Sequence, residues 1–218
     1  VTGGSRGIGR ACALALGAAG ASVVVHCRHR VEKAAETAEE IKRRGGSAAV
    51  VSADLTDPSA PEELVRRASE EIGPPSILIH AAGILKDAPL GMTSEKDYRE
   101  AMDLHAMAAM LLCRAMFPSI RQTKWGRIVL IGSQAGSMGA QGRAAYAVSK
   151  AALHGLARSL AIEMAPYGCT VNVISPGFVE TDMTAGLHPA AKNDLLSRIP
   201  ARRFGAPEEI ASLAAYLC

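Results

Sequence analysis

Five short apolar runs, each separated from the next by a stretch with helical spacing, constrain the fold of this chain more than any other feature. They are Ala21–His26 (ASVVVH), Ser47–Leu55 (SAAVVSADL), Ser76–Gly83 (SILIHAAG), Gly126–Ser133 (GRIVLIGS) and Cys169–Gly177 (CTVNVISPG). Rich in branched residues and continuously apolar, they match strands covered on both faces. Between them, Arg6–Ala19, Val31–Arg44, Pro61–Ile72, Glu95–Arg121, Ala144–Tyr167 and Pro207–Leu217 carry apolar residues three and four apart, as helices packed on a sheet do. This alternation predicts an α/β fold with a doubly wound parallel sheet and right-handed crossovers, in three α/β/α layers. With 218 residues and no repeat, linker or low-complexity stretch, one domain spanning 1–218 is the economical reading.

The opening stretch TGGSRGIGR sharpens this to a Rossmann-type fold. Its glycines, Gly3, Gly4, Gly7 and Gly9, stand between a strand position and a helix. Such a turn brings backbone close to a pyrophosphate, and the helix start supplies amide donors and partial positive charge. Only Val1 and Thr2 precede the glycines, and the chain closes on the amphipathic pattern PEEIASLAAYLC, so a chain trimmed at both ends is the expectation. The next strand ends in VVVHCRHR, where a site for NAD would carry an acid to hold the ribose hydroxyl. Arg28, His29 and Arg30 stand there instead, and Arg6 lies in the loop, so guanidinium groups point to a 2′-phosphate and to NADP(H). The alternative is that Arg28 and Arg30 only begin a solvated helix.

Other classes are weakly served. A net charge of +3 with scattered basic residues gives no nucleic-acid stripe; KRR at 42–44 and ARR at 201–203 are short. Five cysteines without a C-x-x-C pair read as buried thiols in a reducing compartment, with no metal site. No apolar run has the ~18 residues of a membrane helix. The expected location is the cytoplasm, or an organelle matrix if a targeting segment precedes Val1. The irregular stretch 179–203 follows a strand's carboxyl end, where α/β folds bind ligands, and reads as a substrate lid or a plain surface excursion.

In YAVSK, Tyr146 and Lys150 share a helix face, and a lysine there could lower the phenol pKa into a useful range. Alone, such a pair is as compatible with a solvated face.

With TGGSRGIG, ADLTD, HAAG, GRIVLIGS, YAVSK, VNVISPGFVETDM and IPARRFGAPEEIA in order, the chain resembles the short-chain dehydrogenase/reductase family nearly end to end. Within it, PGFVETDM and the IPARRFGAPEEIA stretch are most similar to the 3-oxoacyl-[acyl-carrier-protein] reductases. The resemblance implies a catalytic set of Ser133, Tyr146 and Lys150. Ser133 would bond the substrate carbonyl and Tyr146 would protonate the alkoxide as the nicotinamide gives hydride. Lys150 would hold the nicotinamide ribose and depress the tyrosine pKa. It places NADP(H) along Gly3, Ser5, Arg6, Gly7, Ile8 and Gly9, with Arg28 and His29 at the adenosine end. Asp54 and Leu55 would meet the adenine, Ala81, Ala82 and Gly83 would lie beneath the cofactor, and Pro176, Gly177, Val179 and Thr181 would border the nicotinamide. It also implies a homotetramer built on the two long helices, and a carrier protein as partner with Arg121 and Lys124 as docking residues, although Tyr167 stands where a basic residue would help.

Two positions depart from the family pattern. His80–Gly83 replaces an asparagine-asparagine-alanine-glycine motif, and His105 stands where a fourth catalytic residue, an asparagine, is common. His105 is therefore a candidate catalytic position: an imidazole titrating near neutral pH beside Lys150, a packing histidine, or the mark of a weakened enzyme. The expected activity is reduction of a 3-oxoacyl thioester by NADPH. The rivals are a small-molecule or polyketide alcohol dehydrogenase and a weakly active cofactor-binding subunit of a hetero-oligomer.

Overall fold

The computed structural model describes all 218 residues, Val1–Cys218. The chain order is α1 (Gly7–Ala18), β1 (Ser22–Cys27), α2 (Val31–Arg43), β2 (Ser47–Ser52), α3 (Ala60–Ile72) and β3 (Ile77–His80). There follow α4 (Glu95–Met102), α5 (Ala108–Thr123), β4 (Gly126–Ile131), α6 (Ala135–Met138), α7 (Ala144–Met164), β5 (Cys169–Ile174), α8 (Asp182–Ala185), α9 (Pro189–Arg198) and α10 (Pro207–Tyr216).

All strand pairs are parallel. β1 pairs with β2, and β4 lies between β3 and β5. The sheet is thus split into two and three strands, and Val1–Thr2 join the parts. His26 N–H donates to the Val1 carbonyl (2.9 Å), while Thr2 N–H donates to the Ile79 carbonyl (3.0 Å). These two residues hold the place between β1 and β3 that a central strand takes in a doubly wound sheet. Before them, at the amino ends of β1 and β3, lies an apolar cavity of about 320 Å³ lined by Leu64, Leu78, Leu112 and Met116 among others.

Both faces of the sheet are covered, which is why the strands tolerate continuous apolar runs. Ile128, Val129 and Leu130 of β4 are fully buried. One core joins β-strand residues to Leu64, Leu112, Met116, Leu153 and Met164 of α3, α5 and α7. The other joins them to Cys12, Leu16, Ala34, Ile41 and Ala214 of α1, α2 and α10. Four cysteines are buried free thiols and Cys218 is half-buried. No helix is long and apolar enough to cross a membrane.

Three local expectations are corrected. β2 to β5 end two to three residues before their apolar runs do, because 53–55, 81–83, 132–133 and 175–177 leave the ladder to line a groove at the carboxyl edge, whereas β1 runs one residue past its own, to Cys27. The helix expected over Glu95–Arg121 is broken by a π-helical turn at Asp103–Met107, which widens the helix around two buried side chains, Leu104 and His105. The stretch 179–203 is not wholly irregular: it contains α8 and α9, the latter started by Pro189 and capped by the His188 ring.

Candidate functional site

The carboxyl ends of the strands gather the residues that the sequence singles out. Ser133 follows β4 by two residues, and Tyr146 and Lys150 lie on the first turns of α7, held close by α6. Gly136 makes that approach possible: a Cβ there would lie 2.8 Å from the Ala151 amide nitrogen. Sequence reasoning missed this position, since a glycine in a short helix carries no pattern. The Ser133 hydroxyl faces the Tyr146 side chain, whose phenolate it favours, and accepts from the Ala135 amide at 3.2 Å.

Lys150 is buried, 4% exposed, and its Nζ donates to the Ile131 carbonyl at 2.8 Å. Burial pulls its pKa down to about 8. Its Nζ stands 5.8 Å from the Tyr146 ring centroid. The expected depression of the tyrosine by this lysine is not what the free protein has. Burial raises the Tyr146 pKa above the ordinary phenol value, opposed chiefly by the nearby Ser133 hydroxyl, then by the Arg143 charge. The tyrosine is a protonated donor at neutral pH.

His105 joins this group. Its ring meets the Tyr146 ring edge-on with centroids 5.7 Å apart. The hydrogen bonds fix its tautomer: Ile84 N–H donates to Nε2 (3.0 Å), so Nδ1–H donates to the Ser149 hydroxyl (2.7 Å), which donates to the Tyr146 carbonyl (2.8 Å). Its pKa lies well below the ordinary imidazole value, through burial first and the Lys150 charge second. A histidine that titrates near neutral pH is therefore corrected to one that stays neutral there. Ser149, unnoticed in the sequence, is the link that makes it so.

The other departure has the same character. Ala81 and Ala82 both donate backbone N–H to the Thr2 hydroxyl (3.1 Å each), so that hydroxyl donates to His80 Nδ1 (3.0 Å), leaving Nε2–H for the Leu104 carbonyl at 3.1 Å. His80 ties the glycine loop to the π turn. A third histidine, His26, receives the Gly3 amide on Nδ1 (3.3 Å) and donates from Nε2 to the Ala53 carbonyl (3.0 Å). Burial lowers the pKa of His80 to about 3 and of His26 to about 4.

These three rings predict acid lability. Each has a folded pKa below its unfolded value near 6.5. Unfolding therefore takes up a proton at each, and stability falls as pH drops from 6.5 through about 4 for His26 and about 3 for His80. Chemical denaturation across that range should show a steep loss, and His80→Gln should flatten it; a stability constant from pH 7 to 4 would contradict the neutral-histidine assignment.

The glycine loop fits a dinucleotide. Arg6 caps α1 with extended backbone and makes no side-chain capping bond, so the first-turn amides stay available. A Cβ on Gly9 would lie 2.2 Å from the Gly3 carbonyl oxygen, and one on Gly83 would lie 2.9 Å from His105 Nε2 and 3.6 Å from Lys150 Nζ. Backbone therefore reaches both ends of the groove with no side chain in the way. Ser5 and Ala82 are buried, Ile8 and Ala81 half-buried, Arg6 exposed. Leu55 is buried, while the Asp54 carboxylate accepts from Thr56 (2.7 Å to the hydroxyl) and pairs with Arg28 at 2.8 Å. His29 is exposed beside Arg28. Pro176 and Val179 are buried, Gly177 faces Gln134, and Thr181 packs against Gly7. Of the three donors on the buried Lys150 ammonium Ile131 takes one, and the remaining two suit the hydroxyls of a ribose.

Arg121 and Lys124 do not border this groove in their own chain. They end α5 at the amino end of β4, whereas Ser133 follows its carboxyl end, about 20 Å along the strand.

A family model described as "Enoyl-(Acyl carrier protein) reductase" matches residues 3–218. The 3-oxoacyl-[acyl-carrier-protein] reductase FabG of Escherichia coli is 37% identical over 217 residues, covering 100% of this chain and 87% of the relative. Among solved structures, a 3-oxoacyl (acyl-carrier-protein) reductase from Agrobacterium tumefaciens with NADP bound superposes with a TM-score of 0.94 at 32% identity, covering 100% of this chain and 85% of that one. A protein from Beutenbergia cavernae, provisionally named an NAD(P)-dependent gluconate 5-dehydrogenase and carrying NADP, gives 0.93 at 36% identity, with 100% and 87% covered.

Proposed function

This chain belongs to the short-chain dehydrogenase/reductase family, and we propose that within it the chain reduces a 3-oxoacyl thioester carried on acyl carrier protein to the 3-hydroxyacyl thioester. It is an NADP(H)-dependent oxidoreductase with a Rossmann-type fold. The observation that carries the reading is the meeting of Ser133, Tyr146 and buried Lys150 at the carboxyl ends of the strands. The 37% identity to a reductase of that name, across the whole chain, supports the substrate class.

When bound, NADPH supplies the hydride. The chain's own residues do the rest. Ser133 and Tyr146 present hydroxyls to one ketone oxygen, where negative charge grows. Tyr146, held protonated by burial, gives its proton to that oxygen. Lys150, half-charged near pH 8, keeps positive charge close to the phenol as the proton leaves and offers its remaining N–H groups to the nicotinamide ribose. His105 orients the start of α7 through Ser149 and holds Ile84, and so Gly83, in place. Both its ring nitrogens are committed, Nδ1–H to Ser149 and Nε2 to the Ile84 amide, so its role is positioning rather than relay. Ser5, Gly7, Ile8 and Gly9 take the pyrophosphate, and Asp54 and Leu55 border the adenine. Ala81 and Ala82 lie beneath the cofactor, and Pro176, Gly177, Val179 and Thr181 border the nicotinamide. Arg6 and Arg28, with His29, meet the 2′-phosphate. The intact catalytic set argues against a cofactor-binding subunit without activity.

Exposed Met107, Met110, Val148 and Ile162 on the π turn, α5 and α7 support a homotetramer formed through these helices. A carrier protein would then meet Arg121 and Lys124 of one subunit while its acyl group enters another. A second reading, oxidation of a small polyhydroxy acid, is favoured by the likeness to the Beutenbergia protein. Initial rates of NADPH consumption with acetoacetyl-carrier protein, acetoacetyl-coenzyme A and 5-ketogluconate separate the readings. We expect the order carrier, coenzyme A, sugar acid; a sugar acid reduced fastest would overturn the thioester assignment.

A further inference from the structure

Two guanidinium groups from opposite sides of the glycine loop meet on one carboxylate. Arg6 Nη1 lies 2.8 Å and Arg30 Nη1 3.0 Å from Asp182 Oδ2. Arg6 caps α1, Arg30 follows β1, and Asp182 opens α8 at the start of the segment that borders the substrate groove. The preceding residue, Thr181, packs on Gly7, with its Cγ2 3.2 Å from where a Cβ on that glycine would stand. The clasp therefore spans the mouth of the phosphate-binding loop. Arg28 is also paired with acids, Asp54 at 2.8 Å and Glu100 at 3.8 Å. All three arginines of the adenosine end thus face carboxylates.

The clasp also holds the segment it belongs to. Between residues 182 and 198, the only side-chain hydrogen bonds to any part of the chain before Val179 are those two on Asp182. The other side-chain bonds of the segment stay within 179–202. α9 has no buried residue.

We propose that Asp182 is an internal competitor for the anion site formed by Arg6 and Arg30: the 2′-phosphate of NADP(H) displaces its carboxylate, and the displacement frees residues 182–198 to receive substrate. Two donors converging on one carboxylate oxygen are placed to converge on a phosphate oxygen, and a dianion outcompetes a monoanion for them. Asp182 would then set both cofactor affinity and the order of binding, cofactor before ketone. The inference rests on the 2′-phosphate reading of these arginines.

The test is the dissociation constant of NADPH and of NADH for the full chain, wild type and Asp182→Asn. The clasp is solvent-exposed, so its removal should tighten NADPH by about three- to tenfold. NADH, which has the pyrophosphate and lacks the 2′-phosphate, should change less than about twofold. Amide exchange over 183–198 should rise in wild type on adding NADPH and be high in Asp182→Asn without it. Unchanged or weaker NADPH binding by the variant overturns the proposal, and equal tightening of NADH overturns the 2′-phosphate as the displacing group. Arg6→Ala separates the two levels. If it weakens NADPH selectively while Asp182→Asn does nothing, only the competitor role fails. If it leaves the NADPH-to-NADH ratio unchanged, the 2′-phosphate reading fails and takes the proposal with it.

Discussion

Replacing Tyr146 with phenylalanine lowers kcat by about 10²–10⁴-fold, the range a positioned proton donor contributes. NADPH affinity is preserved within about twofold, because the change removes one hydroxyl. The ring keeps its edge-on contact with His105, and the Tyr146 backbone carbonyl still receives the Ser149 hydroxyl. Lys150 keeps its bond to the Ile131 carbonyl, so the cofactor end of the site is untouched. What disappears is the only phenol beside Ser133. The kinetic readout is therefore a fall in kcat with a retained NADPH dissociation constant. A variant with wild-type kcat would remove Tyr146 from the chemistry.

Gly9→Ala has the second large effect, on binding rather than turnover. The added methyl would lie 2.2 Å from the Gly3 carbonyl oxygen and 2.7 Å from the Gly3 carbonyl carbon. Neither is the tip of a flexible side chain. Gly3 cannot retreat freely, because its own Cβ position is already 2.9 Å from the Ala82 Cα. The clash must move the loop, and overpacking of this kind costs about 1–3 kcal/mol, which corresponds to about a 5- to 150-fold loss of NADPH affinity if it falls on the bound conformation. Gly155→Ala is the contrast: no atom lies within 4 Å of its Cβ position, so inside α7 it should stabilise by about 0.5–1 kcal/mol. Thermal denaturation and cofactor titration of the two variants should diverge in these directions; equal behaviour would contradict the close-packed loop.

The fold was legible because its strands are covered on both faces, so burial is written as continuous apolar runs such as RIVLI, and because a glycine turn between strand and helix has few other uses. Y-x-x-x-K was legible by spacing, and Ser133 by the resemblance. What escaped was of two kinds. Departures in polarity, such as the π turn and the neutral tautomers of His26, His80 and His105, depend on which backbone groups stand opposite a side chain. Gly3, Ala53, Ile84 and Leu104 supply those groups from elsewhere in the chain, and no local pattern records them. The second kind is the pairing of charged surface residues. TDM reads as a family motif, and nothing near Asp182 in sequence points to Arg6 and Arg30, 176 and 152 residues away. Arg121 and Lys124 were misplaced for a related reason: a basic pair at a helix end carries no mark of which edge of the sheet it occupies. α9 lay hidden because its exposed faces leave no apolar period.

The central claim is that Ser133, Tyr146 and Lys150 serve carbonyl reduction with NADPH. Its most direct measurement is a single turnover of the wild-type protein with NADPH and an acetoacetyl thioester, following cofactor absorbance and thioester product together. The account predicts that NADPH is consumed and 3-hydroxybutyryl thioester appears one for one, with NADH much slower at equal concentration. NADPH that binds but is not consumed by any thioester offered would contradict it.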